Sequence, residues 1–248
     1  MIKSYIFSSI INSVNSKGFA SYGELKNILN CSESTVRRAV NELAKKGMLI
    51  KERGGVSSIL ISDFFTSDQN LLTREKIDEN IKIRMALEAR KMIKDNMTIY
   101  LDAGSSTLCL AKKLKNVKTK VVTNSFTIAK VLMDKHIDTT YIGGELKIKT
   151  DATIGPIAID SISKFNFNCG FFGANGVTPS KGFSTPDLEE AHIKKVAIDN
   201  SNKCIFLVNS SKFNKNSIVS FAGIDGKTII TDYRDSDNKF SSANIIEV

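Results

Sequence analysis

The stretch SESTVRRAVNELAKKG, residues 32–47, sets Arg37 and Arg38 side by side, with Ser32, Ser34 and Thr35 just before them and Lys45 further along. Guanidinium groups and hydroxyls crowded into the first half of a helix pair with base edges and phosphates when that helix enters a DNA major groove. Two adjacent arginines on a helix are also readable as solvated surface charge, so their neighbours decide. A second group offers different chemistry. In LDAGSST, Asp102 and Gly104 precede Ser105, Ser106 and Thr107. The glycine lets a ligand approach the backbone, and hydroxyls and N–H groups at a positive helix end suit a phosphate. An ordinary strand-to-helix turn uses the same residues as caps. The pattern recurs in VVTNS with Asn124, YIGGEL with Gly143 and Gly144, and FFGANG with Asn175. Asp187 and Glu190 in STPDLEEA can accept hydrogen bonds from sugar hydroxyls or simply favour the positive end of a helix. Lys212 in NSSKF is either a solvated lysine or a cation aimed at an anionic ligand.

The elements that must position these residues are legible. Ser32 is a suitable N-cap with Glu33 behind it, and Val36, Val40 and Leu43 form one apolar stripe that Gly47 ends. Upstream, SYGEL reads as a capping box between Ser21 and Glu24, opening a short helix that turns around Asn30 and Cys31. An amphipathic helix before it is stopped by Gly18, and MLIKERGGVSSILI reads as a β-hairpin turning at Gly54–Gly55 with Arg53 beside the turn. Three helices and a hairpin make a winged helix-turn-helix over residues 1–60. Nine cations against four anions leave residues 1–58 with a net charge of +5, placed where phosphates would be met. Residues 61–95 read as a polar linker followed by one long helix through Ile77, Ile81, Met85 and Met92. Within residues 75–248, TIYLDAGSS, TKVVTNS, TTYIGG, CGFFGANG, KCIFLVNSS and KTIITD are short apolar runs ending in polar residues, most of them separated by helical patterns. That alternation predicts a Rossmann-like α/β unit whose ligands bind beyond the carboxyl ends of a mainly parallel sheet. In STPD, Thr185 is expected as a helix N-cap and Pro186 as its first residue.

SYGELKNILNCSESTVRRAVNELAKKGMLIKERGGV resembles the DNA-binding domain of the DeoR family of bacterial sugar-operon repressors, which share the T-[IV]-R-R core and the Gly-Gly wing. Ala39 departs from the acidic residue the family usually carries after its paired arginines. Further along, LDAGSST, TNS, IGG, GANG, KGFSTPDLEEA and SSKF follow the order of the DeoR effector domain, which is similar in fold to sugar-phosphate isomerases. The resemblance implies that Asp102, Ser105, Ser106, Thr107, Asn124, Asp187, Glu190 and Lys212 line a sugar-phosphate pocket. KGFSTPD looks most like members that respond to phosphorylated ketohexoses, such as fructose 1-phosphate or tagatose 6-phosphate.

The remaining composition narrows the class. With 248 residues, 42% of them hydrophobic, the chain can build a core in its larger part; the net charge of +9 fits a nucleic-acid partner but decides nothing without the motif. The four cysteines lie far apart with no metal-ligand spacing, so reduced thiols and neither metal nor cofactor are expected. No membrane-length apolar segment or signal-peptide cleavage site is evident, which points to the cytoplasm. The expectation is a sequence-specific regulator, a repressor by default. It would bind repeated half-sites of double-stranded operator DNA as a homo-oligomer and be released by a phosphorylated sugar. The alternative is an active sugar-phosphate isomerase carrying a DNA-binding domain, in which Asp102, Glu190 and Lys212 would move protons. A purely architectural DNA protein would need no polar strand ends.

Overall fold

The computed structural model describes residues 2–17, 19–45, 48–52, 54–58, 71–115 and 118–248. Gly18, Gly47, Arg53 and the linker at 62–70 lie outside them. The chain divides into two compact units, Met1–Ser67 and Asp68–Val248.

The first unit contains α1 (Ile2–Lys17), β1 (Phe19–Ser21), α2 (Tyr22–Leu29), α3 (Glu33–Lys45), β2 (Leu49–Glu52) and β3 (Gly55–Ser58). The capping box is present: Ser21 Oγ accepts the Glu24 N–H at 3.2 Å, and Glu24 accepts the Ser21 N–H at 2.8 Å. Asn30 closes α2 in the left-handed conformation, φ 44°. Ser32 begins α3, its Oγ accepting the Thr35 N–H at 3.3 Å. The expected hairpin pairs Leu49–Glu52 with Gly55–Ser58, and the sequence reading missed a third strand, β1, which pairs antiparallel with β3. Val36, Val40 and Leu43 bury their stripe against Ile10, Val14, Leu25 and Val56.

The second unit opens with a correction. The single helix expected through Ile77 is two, α4 (Leu71–Lys76) and α5 (Glu79–Arg90), because Asp78 takes a left-handed backbone, φ 52°. From there β4 (Thr98–Leu101), α6 (Ser105–Lys113), β5 (Lys120–Thr123), α7 (Phe126–Asp134) and β6 (Thr139–Tyr141) alternate. A hairpin of β7 (Glu145–Lys147) and β8 (Ala152–Ile154) leads into α8 (Pro156–Ser163) and β9 (Cys169–Phe172). Next come β10 (Gly176–Thr178), β11 (Gly182–Thr185) and α9 (Leu188–Asp199). The chain ends through β12 (Cys204–Leu207), a 3-10 turn at Ser210–Lys212, β13 (Val219–Ala222), β14 (Thr228–Thr231) and β15 (Asn244–Glu247).

All six apolar runs became strands of one parallel sheet, in the order β15-β14-β12-β9-β4-β5-β6. The strand order reverses between β4 and β9, the topological switch point at which doubly wound sheets bind ligands. Both sheet faces are covered. Ile99, Leu101, Val121 and Phe171 face α5, α6 and α7, while Tyr100, Val122, Phe172 and Phe206 face α8, α9 and the small antiparallel sheet β10-β11-β13. Period-two alternation within the strands therefore feeds two cores.

Asn124 ties the strand ends together. Its Oδ1 accepts from the Tyr100 hydroxyl at 2.8 Å and the Ala103 N–H at 3.2 Å, and its Nδ2 donates to the Thr153 carbonyl at 3.1 Å. Truncating a buried group that satisfies three others leaves all of them unpaired, so Asn124→Ala should lower the unfolding free energy by about 2–4 kcal/mol. Urea unfolding of the full chain checks this; a loss below about 1 kcal/mol would show that the carboxamide does not hold the strand ends.

Candidate functional site

At the carboxyl end of β4, Asp102 is buried and its Oδ2 accepts the Gly173 N–H from the end of β9 at 3.1 Å. The two loops that flank the switch point are thus bonded to each other. The same oxygen pairs with the Lys194 ammonium of α9, a buried lysine that the sequence reading did not single out. Burial pushes the Asp102 carboxyl up from its ordinary value, and Lys194 acts against the rise. Lys194 also lies 5.5 Å from the centre of the Phe221 ring.

Gly104 stands at the cap position of α6 and has no side chain, so the first turn of this helix gets no side-chain cap. Ser105 and Ser106 begin that turn, with Ser105 buried and Ser106 half-buried. Thr107 is turned inward: its hydroxyl donates to the Asp102 carbonyl at 2.6 Å and the Gly104 carbonyl at 2.9 Å. The neighbouring helix differs. At the start of α7, Ser125 caps Ile128 at 3.1 Å, and the Asp151 carboxylate accepts the Thr127 N–H at 2.9 Å and the Ser125 hydroxyl at 2.5 Å. α7 has an internal anion bonded at its positive end, and among the described residues none is bonded at that of α6.

Asp187 and Glu190 are also occupied from within. Contrary to the sequence expectation, Thr185 ends β11, Pro186 precedes the helix, and Asp187 is the N-cap of α9, accepting the Glu190 N–H at 2.9 Å. Lys147 reaches from β7 to Asp187 at 2.9 Å and to Glu190 at 3.0 Å, and the Thr150 hydroxyl donates to Glu190 at 2.6 Å. Burial raises the Asp187 carboxyl, but the Glu190 N–H and Lys147 outweigh it and hold the group below its ordinary value. Gly143 and Gly144 follow β6, two strands from β4, and lead into the hairpin. Gly144 has φ 147°, and a Cβ there would meet the Ile154 carbonyl at 2.9 Å. Asn175 lies just past β9 and donates its N–H to the Ser184 carbonyl at 2.9 Å.

Two cations missed in the sequence sit on α4 and α5. Lys82 is buried in the first turn of α5, where its Nζ donates to the Ile77 carbonyl at 2.7 Å and to the Arg74 carbonyl, with no carboxylate bonded to it. Burial lowers its pKa to about 8; Asp78 resists this, while Lys212 and Arg74 push further down. Lys212 therefore shares its surroundings with Lys82 and Arg74. Arg74 has its Nε and Nη2 buried without a hydrogen-bond partner. Asp78, the nearby carboxylate, is taken by the Asn209 carboxamide at 2.5 Å. Nothing in the local sequence flags these residues, because LTREK reads as an ordinary charged helix and the break at Asp78 is not encoded by Gly or Pro.

In the first unit, Arg37 is held in place. Its Nη2 and Nε lie 2.6 and 2.8 Å from Glu33 Oε1, and its guanidinium carbon stands 4.1 Å from the centre of the Tyr22 ring. Ser32 Oγ lies 2.9 Å from both Ser34 Oγ and Thr35 Oγ1. Arg38 and Lys45 are exposed.

Among the described residues no group of side chains could hold a metal ion, and no helix is long and apolar enough to cross a membrane. Residues 8–61 match the DeoR-like helix-turn-helix domain and residues 77–233 the DeoR C-terminal sensor domain. The chain is 35% identical over 225 residues to an uncharacterised HTH-type transcriptional regulator, FruR, of Bacillus subtilis, covering 90% of this chain and 88% of that one. To a lactose phosphotransferase system repressor of Staphylococcus aureus it is 31% identical over 242 residues, 95% and 94% of the two chains. Ribose 5-phosphate isomerase A of Methanocaldococcus jannaschii shares 22% identity over 55% of each chain at a TM-score of 0.42, a likeness too partial to bear on chemistry.

The buried lysine makes stability depend on pH. Folding lowers the Lys82 pKa from 10.5 to about 8, so between those values the unfolded chain binds more protons and stability rises with pH. The penalty is complete below about pH 8 and is relieved above it. Lys82→Met loses the bonds to the Arg74 and Ile77 carbonyls at every pH but escapes the charge penalty, so its stability relative to wild type should fall between pH 7 and pH 10. Denaturation of both proteins across that range checks it, and a gap independent of pH would reject the assignment.

Proposed function

The chain belongs to the DeoR family of bacterial transcriptional regulators, and from that premise we propose that it represses a sugar-utilisation operon and is released from its operator by a phosphorylated sugar. The observation that carries the effector class is a group of cations in the second unit with no carboxylate bonded to them among the described residues, Asp78 acting on Lys82 only from nearby. Arg74 has buried nitrogens without partners, Lys82 bonds only to carbonyls, and Lys212 lies close enough to depress its pKa. A buried cation left in this state is stabilised by any anion that reaches it. The uncapped first turn of α6 adds N–H donors of the same preference. In this reading Ser105 and Ser106 hold the phosphate with Gly104 giving it access, Arg74, Lys82 and Lys212 balance its charge, and the loops bearing Asp102 and Asn175 face the sugar.

Asn124, Thr107, Asp187 and Glu190 act behind that surface, since their side chains are spent on internal bonds. This supports binding over catalysis as well. A general base must be free to take a proton, and Asp102 and Glu190 are bonded to lysines. The relative named lactose phosphotransferase system repressor supports a sugar ligand. Fructose 1-phosphate and tagatose 6-phosphate are the first two to test.

Coupling has a physical route. Arg74 and Lys82 belong to the segment that follows the linker, so an anion that binds them bears directly on the part of the chain leading from the DNA-binding unit. A hundredfold loss of operator affinity needs about 2.7 kcal/mol of difference in effector affinity between two arrangements of the protein.

Ser106→Asp places a carboxylate among the donors of α6 and should abolish release by the sugar phosphate while operator binding survives. The unphosphorylated sugar should fail on wild type, since it forgoes the charge-assisted bonds. Release of operator DNA titrated with sugar and with sugar phosphate measures both. Equal potency of the free sugar, or a normal response of the variant, would overturn the effector class, and turnover of the sugar phosphate during incubation would overturn repression without catalysis.

A further inference from the structure

The DNA-binding reading leaves open which residues of α3 read bases. Buried Val36, Ala39, Val40 and Leu43 fix the inner face of this helix. Ser34, Arg38, Asn41 and Lys45, spaced by four, three and four residues, form one stripe on the opposite side, and all four are exposed. Arg37 is not on that stripe. It lies at its flank, with the guanidinium over the Tyr22 ring of α2 at 4.1 Å and both Nη2 and Nε on Glu33. Arg38 and Asn41 have no bonding partner among the described residues.

Asn41 lacks a structural reason to be where it is. Asparagine is a poor helix former, and an exposed one in mid-helix costs stability unless it serves something else. Its carboxamide offers the paired donor and acceptor that match the N6 and N7 edge of adenine, as a free guanidinium matches O6 and N7 of guanine.

Resting on the DNA-binding reading, we propose that Arg38 and Asn41 read guanine and adenine in the major groove, and that Arg37 is a positioning residue that fixes α3 against α2. Three residues of helix span about 4.5 Å, against about 3.4 Å per base step, so the two bases lie no more than two steps apart in each half-site. Ala39 fits the assignment: it is buried in the unit's core and puts no carboxylate beside Arg38.

The test is selection and sequencing of duplexes bound by the full chain from a randomised library, without sugar phosphate, followed by competition binding to single-base variants of the enriched site. The expected site carries a guanine and an adenine within two steps in each half. Asn41→Ala should lose its discrimination at the adenine alone, a change of about 5- to 150-fold, and Arg38→Lys at the guanine alone, because an ammonium cannot bond bidentately. Arg37→Lys keeps a cation beside Glu33 but gives up the stacked, two-nitrogen guanidinium, so it should weaken binding to all sequences alike and leave the base preference unchanged. The assignment falls if Arg37→Lys flattens a base position or Asn41→Ala flattens none. Failure of wild type to enrich any sequence would sink the DNA-binding reading itself.

Discussion

A parallel sheet brings all its carboxyl ends to one side, and where the strand order reverses, the loops on either side must leave over opposite faces. In this protein that reversal lies between β4 and β9, and the rest of the second unit is arranged around it. The β4 loop runs over one face into α6, and the β9 loop runs over the other into the small antiparallel sheet. Asp102 spans the divide twice, its N–H donating to the Phe171 carbonyl and its carboxylate accepting the Gly173 N–H. Lys194 then neutralises the carboxylate that this bond buries. Anchor and counter-charge both sit at this one feature of the topology.

Charge at that end of the sheet is treated in two ways. Wherever the fold supplies its own anion, the positive group is closed off: Asp151 at the start of α7, Asp187 at the start of α9, Asp102 against Lys194. Elsewhere no carboxylate is bonded to the positive group among the described residues, although Asp78 lies near Lys82. α6 begins at a glycine, Lys82 is bonded to carbonyls, and Arg74 has buried nitrogens with no partner. A buried cation bonded to no carboxylate is costly, and that cost is what the proposed site would relieve by taking an anion. The proposed phosphate site rests on this contrast more than on any one residue.

The sequence disclosed the frame better than the site. The six apolar runs of the sheet were visible because strands buried on both faces are near-continuous hydrophobic runs ended by polar residues. The capping box at Ser21 and the apolar stripe of α3 were equally plain. β1 was too short to show, and the break at Asp78 had no Gly or Pro to announce it. Among the candidate site residues, residue type said little about what each side chain bonds to. Asn124 and Glu190 do sit near the strand ends, yet their polar atoms are consumed by Tyr100, Ala103, Lys147 and Thr150. Lys82, Lys147 and Lys194 were invisible for the converse reason. A lysine on a helix or hairpin reads as solvated surface until tertiary packing buries it.

The position of the unpaired cations in the chain has its own consequence. Lys82 lies one turn after the break between α4 and α5, and its ammonium bonds the carbonyls of Arg74 and Ile77, which are the groups freed where α4 ends. The lysine thus caps the C-terminal end of α4 and, in the proposed reading, also faces the anion. Those two demands compete for the same three protons. An anion that draws the ammonium toward itself weakens its hold on α4, while loss of the proton weakens both at once. α4 follows the linker in the chain, so the proposed anion site and the linker are joined in sequence through the turn that Lys82 holds.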